Sequence, residues 1–195
     1  MVKGVTTREN TFKMALVKQL KISPQQKVLD LACGTGTLAI LIKKAFPQTN
    51  VYGIDGDTKI LNIAKSKAEK AEAKIQFEQR LSFALSYADE FFDSITSSLF
   101  FHHLTRENKL KTFLEVKRIL KNNGEFHLAD WGLPSNFLMK IASRGIELLD
   151  GKETTADNFN GALPFLIEEA GFSKIEETAS FDTLFGTIRL LKIAK

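Results

Sequence analysis

The chain of 195 residues has a single cysteine, Cys33, and only three histidines. One thiol excludes an internal disulfide, and with no Cys or His cluster beside it no metal site is expected. The composition therefore suits a reducing cytoplasm. Four prolines are too few and too scattered to mark a linker, and no repeat or low-complexity segment appears. A single domain over residues 1–195 is the expectation. Long apolar runs are missing as well, and no apolar stretch follows the charged N-terminus, so neither a signal peptide nor a membrane span is expected. Any membrane contact would be peripheral. Neither sign of charge dominates: Lys plus Arg number 27 against 23 Asp plus Glu, a net +4. The lysines Lys65, Lys67, Lys70 and Lys74 alternate with Glu69 and Glu72 as on a solvated helix face, and no cationic cluster with exposed aromatics offers a nucleic-acid groove.

What is present is an alternation of strand and helix signals, the pattern of an α/β, Rossmann-like, mostly parallel sheet with helices on both faces. A leading helix is predicted at Thr11–Leu20. Strands follow at Lys27–Ala32, Val51–Ile54, Lys74–Phe77 and Phe92–Ser98, with helices at Thr37–Ala45, at Asp57–Ala71 and at Arg106–Leu120. Asn122-Asn123-Gly124 reads as a turn into a fifth strand, Glu125–Ala129. The rhythm then breaks over residues 131–163, an insert with an amphipathic helix near Asn136–Leu149 that would form a substrate-side lid. A helix at Pro164–Ala170 and strands at Lys174–Ala179 and Thr187–Ile193 bring the sheet to seven strands.

The most informative stretch is Val28-Leu29-Asp30-Leu31-Ala32-Cys33-Gly34-Thr35-Gly36-Thr37-Leu38-Ala39. An apolar strand passes an acidic residue, enters a glycine turn and continues as a helix. Glycines let a ligand approach bare backbone, and a helix start offers free N–H groups. Gly34-x-Gly36-x-x-Ala39 also satisfies the loose dinucleotide fingerprint. A dinucleotide would put its pyrophosphate at the helix N-terminus, however, where the Asp30 charge opposes it. The carboxylate suits a cationic ligand, which favours S-adenosylmethionine.

With Asp55 following, D-x-A-C-G-T-G resembles the cofactor signature of the class I S-adenosylmethionine-dependent methyltransferases. The segments Leu85–Asp93, Phe101-His102-His103-Leu104 and Arg118–Gly124 resemble the ubiquinone/menaquinone-biosynthesis C-methyltransferases, over roughly residues 5 to 130. That resemblance implies a seven-stranded sheet with an antiparallel last strand. It also implies that Asp30 helps hold the methionine ammonium, directly or through water, that Ala32, Cys33, Gly34, Thr35 and Gly36 pass along the cofactor, and that Asp55 and Gly56 meet the ribose. Where the family has Gly-Asp-Ala to meet the adenine, this chain has Arg80-Leu81-Ser82. Adenine recognition then falls to the backbone of Leu81 and Ser82 and to apolar stacking.

Ser98 and Asp130 end strands on the same edge as Asp30 and Asp55, so sequence-distant polar groups converge where open α/β sheets bind ligands. The expected reaction is methyl transfer to a small, apolar or aromatic acceptor by in-line displacement, which needs alignment and water exclusion more than catalytic groups. His102 or His103 could take a proton from the acceptor. Asp130 and Trp131 are the candidate acceptor-side residues, and Phe137-Leu138-Met139-Ile141 either lines an acceptor pocket or packs a lid. His127 and Cys33 read as core side chains. The alternatives are a non-catalytic S-adenosylmethionine-binding protein, a nucleic-acid methyltransferase, which Ser97-Ser98-Leu99-Phe100 does not fit, and a nicotinamide-dependent oxidoreductase.

Overall fold

In the computed structural model, which describes residues 9–183 and 185–195, strands β1 (Lys27–Leu31), β2 (Asn50–Asp55), β3 (Ile75–Gln79), β4 (Phe92–Ser98), β5 (Leu120–Trp131), β6 (Lys174–Thr183) and β7 (Gly186–Ala194) form one sheet. Their order is β3-β2-β1-β4-β5-β7-β6. All neighbours pair in parallel except β7, which runs antiparallel to both β5 and β6. Strand order reverses between β1 and β4, which opens a crevice at their carboxyl ends.

The helices are α1 (Glu9–Gln19), α2 (Thr37–Ala45), α3 (Thr58–Lys70), α4 (Arg106–Ile119), α5 (Phe137–Asp150), α6 (Lys152–Phe159) and α7 (Leu163–Glu169). On one face of the sheet, Leu29, Leu31, Ile95, Phe126 and Leu128 pack with Phe113 and Val116 of α4 and Leu166 of α7. On the other, Val28, Val51, Ala129 and Ile188 meet Phe12 and Leu16 of α1 and Leu38 and Ile42 of α2. Asp57 caps α3 by accepting the N–H of Lys59 at 2.7 Å, and Thr105 caps α4 through the N–H of Asn108.

Three expectations change. Asn122-Asn123-Gly124 does not begin β5 but lies within it: β5 already pairs at Leu120 with Phe92, and a register shift before Ser94 absorbs the extra residues. The insert carries a second helix, α6, which its polar sequence did not announce. Phe137, Leu138 and Ile141 of α5 are 75%, 71% and 50% exposed, so they neither line a cavity nor pack a lid onto the domain.

Candidate functional site

The turn after β1 sits at the reversal of strand order. Ala32, Gly34 and Gly36 all take positive φ, at 53°, 54° and 74°, and the two glycines serve different ends. A Cβ on Gly36 would lie 3.0 Å from Cβ of Ala64 in α3, so this glycine lets the turn pack down. A Cβ on Gly34 would meet nothing within 4 Å. The turn therefore leaves at Gly34 an uncluttered stretch of backbone that a side chain would otherwise fill.

Asp30 lies beneath that turn and is 1% exposed. Its Oδ2 accepts the N–H of Ala39 at 3.0 Å and its Oδ1 accepts from the Thr96 hydroxyl at 3.3 Å. Burial pushes its pKa up to about 7, against the opposing pull of Lys13 and of these hydrogen bonds. Asp55 ends β2, half-buried, and accepts the N–H of Gly34 at 2.9 Å and that of Asp57 at 3.0 Å. Gly56, next in the chain, is exposed. Cys33 is buried; burial first, then the charges of Asp30 and Asp55, hold its thiol well above the usual range.

Sequence reasoning missed Lys67. Read as part of a solvated face, it is instead partly buried, and its ammonium donates to the hydroxyls of Thr35 at 3.0 Å and Thr37 at 2.7 Å, tying α3 to the turn. Burial lowers its pKa, followed by repulsion from Lys13. The spacing of charges on α3 could not reveal this, because the partners lie thirty residues earlier.

Leu81 is 54% exposed beside Gly56, whose added Cβ would lie 3.5 Å from its Cδ2, so an apolar surface does border the Asp55 end of the crevice. Ser82 turns away: it is buried, with its hydroxyl 2.9 Å from that of Thr112 in α4. Arg118 donates to the carbonyls of Leu85 and Tyr87 and to Glu115 and Asp89, which fixes the Leu85–Asp93 segment on α4.

Ser98 ends β4 half-buried opposite Ala129. Beyond it, the chain enters a 3₁₀ turn, Phe101–His103, held by Asp130 of β5. Asp130 Oδ2 accepts the N–H groups of Phe100 at 2.9 Å and Phe101 at 2.6 Å; Oδ1 accepts the N–H of Trp131 at 2.8 Å and lies 2.6 Å from Nδ1 of His102. Burial alone would raise the Asp130 pKa. The charge and hydrogen bond of His102, together with the backbone N–H groups, outweigh it and hold the carboxyl below its ordinary range. His102 is buried; His103 is exposed, its ring centroid 4.0 Å from that of His102.

Asp130 is thus a structural anchor, 2% exposed, and Trp131 is equally enclosed, near Phe159 and in a cluster with Phe12 and Ile188. His127 is buried in β5, with Nε2 3.3 Å from Glu125, and burial lowers its pKa to about 4. Among the described residues no group of three or more His, Cys, Asp or Glu could hold a metal ion, and no helix is long and apolar enough to cross a membrane.

A parallel sheet with an antiparallel seventh strand, and an open glycine turn flanked by two acidic residues at its switch point, define a Rossmann-like methyltransferase fold. Comparison with known proteins agrees. A model of the methyltransferase domain family matches residues 28–124. An uncharacterized methyltransferase of Synechocystis is 31% identical over 169 residues, covering 87% of this chain and 77% of that protein. The demethylmenaquinone methyltransferase of Lactobacillus johnsonii is 30% identical over 136 residues, 68% of this chain and 55% of that protein. This chain thus spans little more than half the length of that enzyme. Among solved structures, the YcgJ protein of Bacillus subtilis superposes with a TM-score of 0.76 at 17% identity, covering 95% of this chain and 96% of that one. A SAM-dependent methyltransferase of Aquifex aeolicus superposes with a TM-score of 0.68 at 19% identity, covering 98% and 91%.

The chain belongs to the methyltransferase family. At its turn, bare backbone at Gly34, the Asp55 carboxylate beside it and the apolar Leu81 form a cradle of mixed polarity.

Proposed function

We propose that this chain transfers a methyl group from S-adenosylmethionine to a small apolar or aromatic acceptor. The observation that carries this reading is the open Gly34 turn, held by Asp55 and Lys67 at the point where strand order reverses. When bound, the cofactor supplies a sulfonium methyl, a strong electrophile. The protein's task is then to bind, align and exclude water. Gly34, Thr35 and Gly36 provide the backbone along which the cofactor lies, and Asp55 its ribose contact. Asp30, enclosed by Ala39 and Thr96, acts as a negative field below the turn more than as a contact. Leu81 supplies the apolar face for the adenine in place of an acidic side chain.

His102 is the candidate proton acceptor and Asp130 its positioning residue. With Nδ1–H donated to Asp130, the basic nitrogen of the ring is Nε2. The relatives named demethylmenaquinone methyltransferase support a quinone-related ring as acceptor. Titration calorimetry with S-adenosylhomocysteine, followed by transfer of labelled methyl to a panel of phenols, quinols and amines, tests both parts. Absence of cofactor binding overturns the whole reading. Binding without turnover on any acceptor class would instead define a non-catalytic cofactor-binding protein.

A further inference from the structure

The run Phe137-Leu138-Met139-Ile141 opens α5, and its largest side chains point away from the protein. Asn136 caps the helix by accepting the N–H of Met139 at 3.0 Å. With roughly 100° of turn per residue, Lys140, Arg144, Phe137, Ile141 and Leu138 fall in that order around an arc of about 160°. All five are exposed, Phe137 and Leu138 by more than two thirds. The other side carries Met139, Ala142 and Ser143, which are half-buried or buried, and α5 packs on α6 and β7. Ile141 lies one turn from both Phe137 and Leu138, so the three form a continuous stripe. A folded chain ordinarily turns such a stripe toward its core, and one left in solvent marks a contact surface.

The charges beside the stripe decide what covers it. Lys140 and Arg144 stand one turn apart along its flank, and residues 137–145 include no acidic side chain. Asp182, which meets the segment before α5, accepts from the hydroxyls of Ser135 and Thr187. An apolar stripe with a cationic flank complements a surface that is anionic outside and apolar beneath. A lipid bilayer is built that way: apolar side chains reach the acyl boundary while Lys and Arg stay among the headgroup phosphates. A second copy packed on this face across a two-fold axis would bring the cations toward their own equivalents. The exposed arc is convex and offers no hydrogen-bonding pattern beyond its two cations, which suits a fluid surface better than a shaped one. The net charge of +4 adds a general attraction to an anionic membrane.

We propose that α5 docks this chain on the surface of an anionic lipid bilayer, with Phe137, Leu138 and Ile141 at the acyl boundary and Lys140 and Arg144 on lipid phosphates. The contact is peripheral, since no described helix could span the membrane. It does not depend on the methyl-transfer reading, because no cofactor-turn residue lies on α5. Where that reading holds, docking brings the chain to the phase in which an apolar acceptor dissolves.

The test is flotation of the full chain with vesicles of phosphatidylcholine alone and of phosphatidylcholine mixed with phosphatidylglycerol. The mixed vesicles should bind at least fivefold to tenfold more tightly, and added salt should weaken them toward the neutral ones. Replacing the stripe, Phe137→Ser with Leu138→Ser and Ile141→Ser, should abolish flotation on both while leaving S-adenosylhomocysteine affinity unchanged. Lys140→Gln with Arg144→Gln should bring mixed vesicles down to the level of neutral ones. Failure of the natural chain to float with mixed vesicles overturns the proposal, and so does flotation that survives loss of the stripe. Dimers in sedimentation velocity that the stripe variant abolishes would assign the face to a second copy, and overturn it as well. The two-vesicle comparison on the unaltered chain stands whether or not the variants fold.

Discussion

The Asp30 carboxylate accepts the N–H of Ala39 at 3.0 Å and so caps α2 from beneath, where Gly36, at the helix start, has no side chain to do so. Ala39 is the third residue of α2, whose N–H an N-cap side chain ordinarily takes. The acid of the signature thus builds the turn as well as charging it. Its pKa, raised to about 7 by burial, has a stability consequence. A carboxyl whose folded pKa exceeds its unfolded value holds its proton preferentially in the folded state. The stabilisation is complete below about pH 4 and is lost as pH rises through 7. Asp30→Asn keeps an oxygen for Ala39 and cannot ionise. It should therefore gain on the natural chain as pH rises from 5 to 8, by on the order of 2–4 kcal/mol, as read by urea denaturation across that range.

The same group links cofactor binding to protons. A cationic ligand above Asp30 favours the ionised form, so binding of S-adenosylmethionine, whose sulfonium charge S-adenosylhomocysteine lacks, should release up to about half a proton at pH 7. Calorimetry in buffers of differing ionisation enthalpy measures this release. In Asp30→Asn the release should vanish, and an unchanged value would show that Asp30 does not sense the ligand.

Two glycines separate binding from folding. Gly34→Ala places its Cβ in open space, so the stability cost is confined to the left-handed backbone, about 1 kcal/mol, while the added methyl intrudes on the cofactor path. Affinity for S-adenosylhomocysteine should fall by roughly tenfold or more. A Cβ on Gly53 would instead lie 2.7 Å from the Phe77 ring and 3.1 Å from Cys33 Sγ. Gly53→Ala should cost about 1–3 kcal/mol of stability through overpacking. Denaturation and titration of the two variants should rank them in opposite orders.

Much of this architecture was legible. The alternation of strand and helix signals placed all seven strands, helped where a strand such as β2 or β4 closes on a polar residue, Asp55 or Ser98. Asn122-Asn123-Gly124 misled because a register shift in a strand pair uses the same residues as a turn. The polar sequence of α6 carries too little apolar periodicity to mark a helix. At the site, residue types announced the turn, but not the direction of each side chain. Lys67 read as solvated and Asp130 as a ligand group because their partners, Thr35 and Thr37 for one and the N–H groups of residues 100, 101 and 131 for the other, come from segments that only the fold brings near.

Lys67 provides a check on that lesson. Lys67→Met retains the apolar stem but removes both donors to the turn hydroxyls. The expected loss is about 1 kcal/mol of stability and a severalfold drop in S-adenosylhomocysteine affinity. Lys65→Met on the exposed part of the same helix should change neither, and equal behaviour of the two in parallel titrations would show that the Lys67 contacts do not hold the turn.

Asp130 and His102 can be separated by the properties that each controls. Asp130→Ala would leave three backbone N–H groups and the imidazole without their acceptor, a loss on the order of 3–5 kcal/mol. Asp130→Asn preserves an oxygen but no charge, so it should fold with a smaller loss. The folded pKa of Asp130 lies below its ordinary value, which makes the stabilisation fully present above the carboxylate range and lost only as pH falls through that depressed value. The stability gap between the natural chain and Asp130→Asn should accordingly be constant from pH 5 to 8 and close in strong acid. His102→Gln removes the proton acceptor while retaining a donor for Asp130, so it should keep most of the stability. If His102 takes the acceptor's proton, His102→Gln should lower kcat far more than it lowers S-adenosylhomocysteine affinity, whereas Asp130→Asn, which retains the imidazole, should lose less of kcat. A purely structural pair would lower kcat and affinity together in both variants.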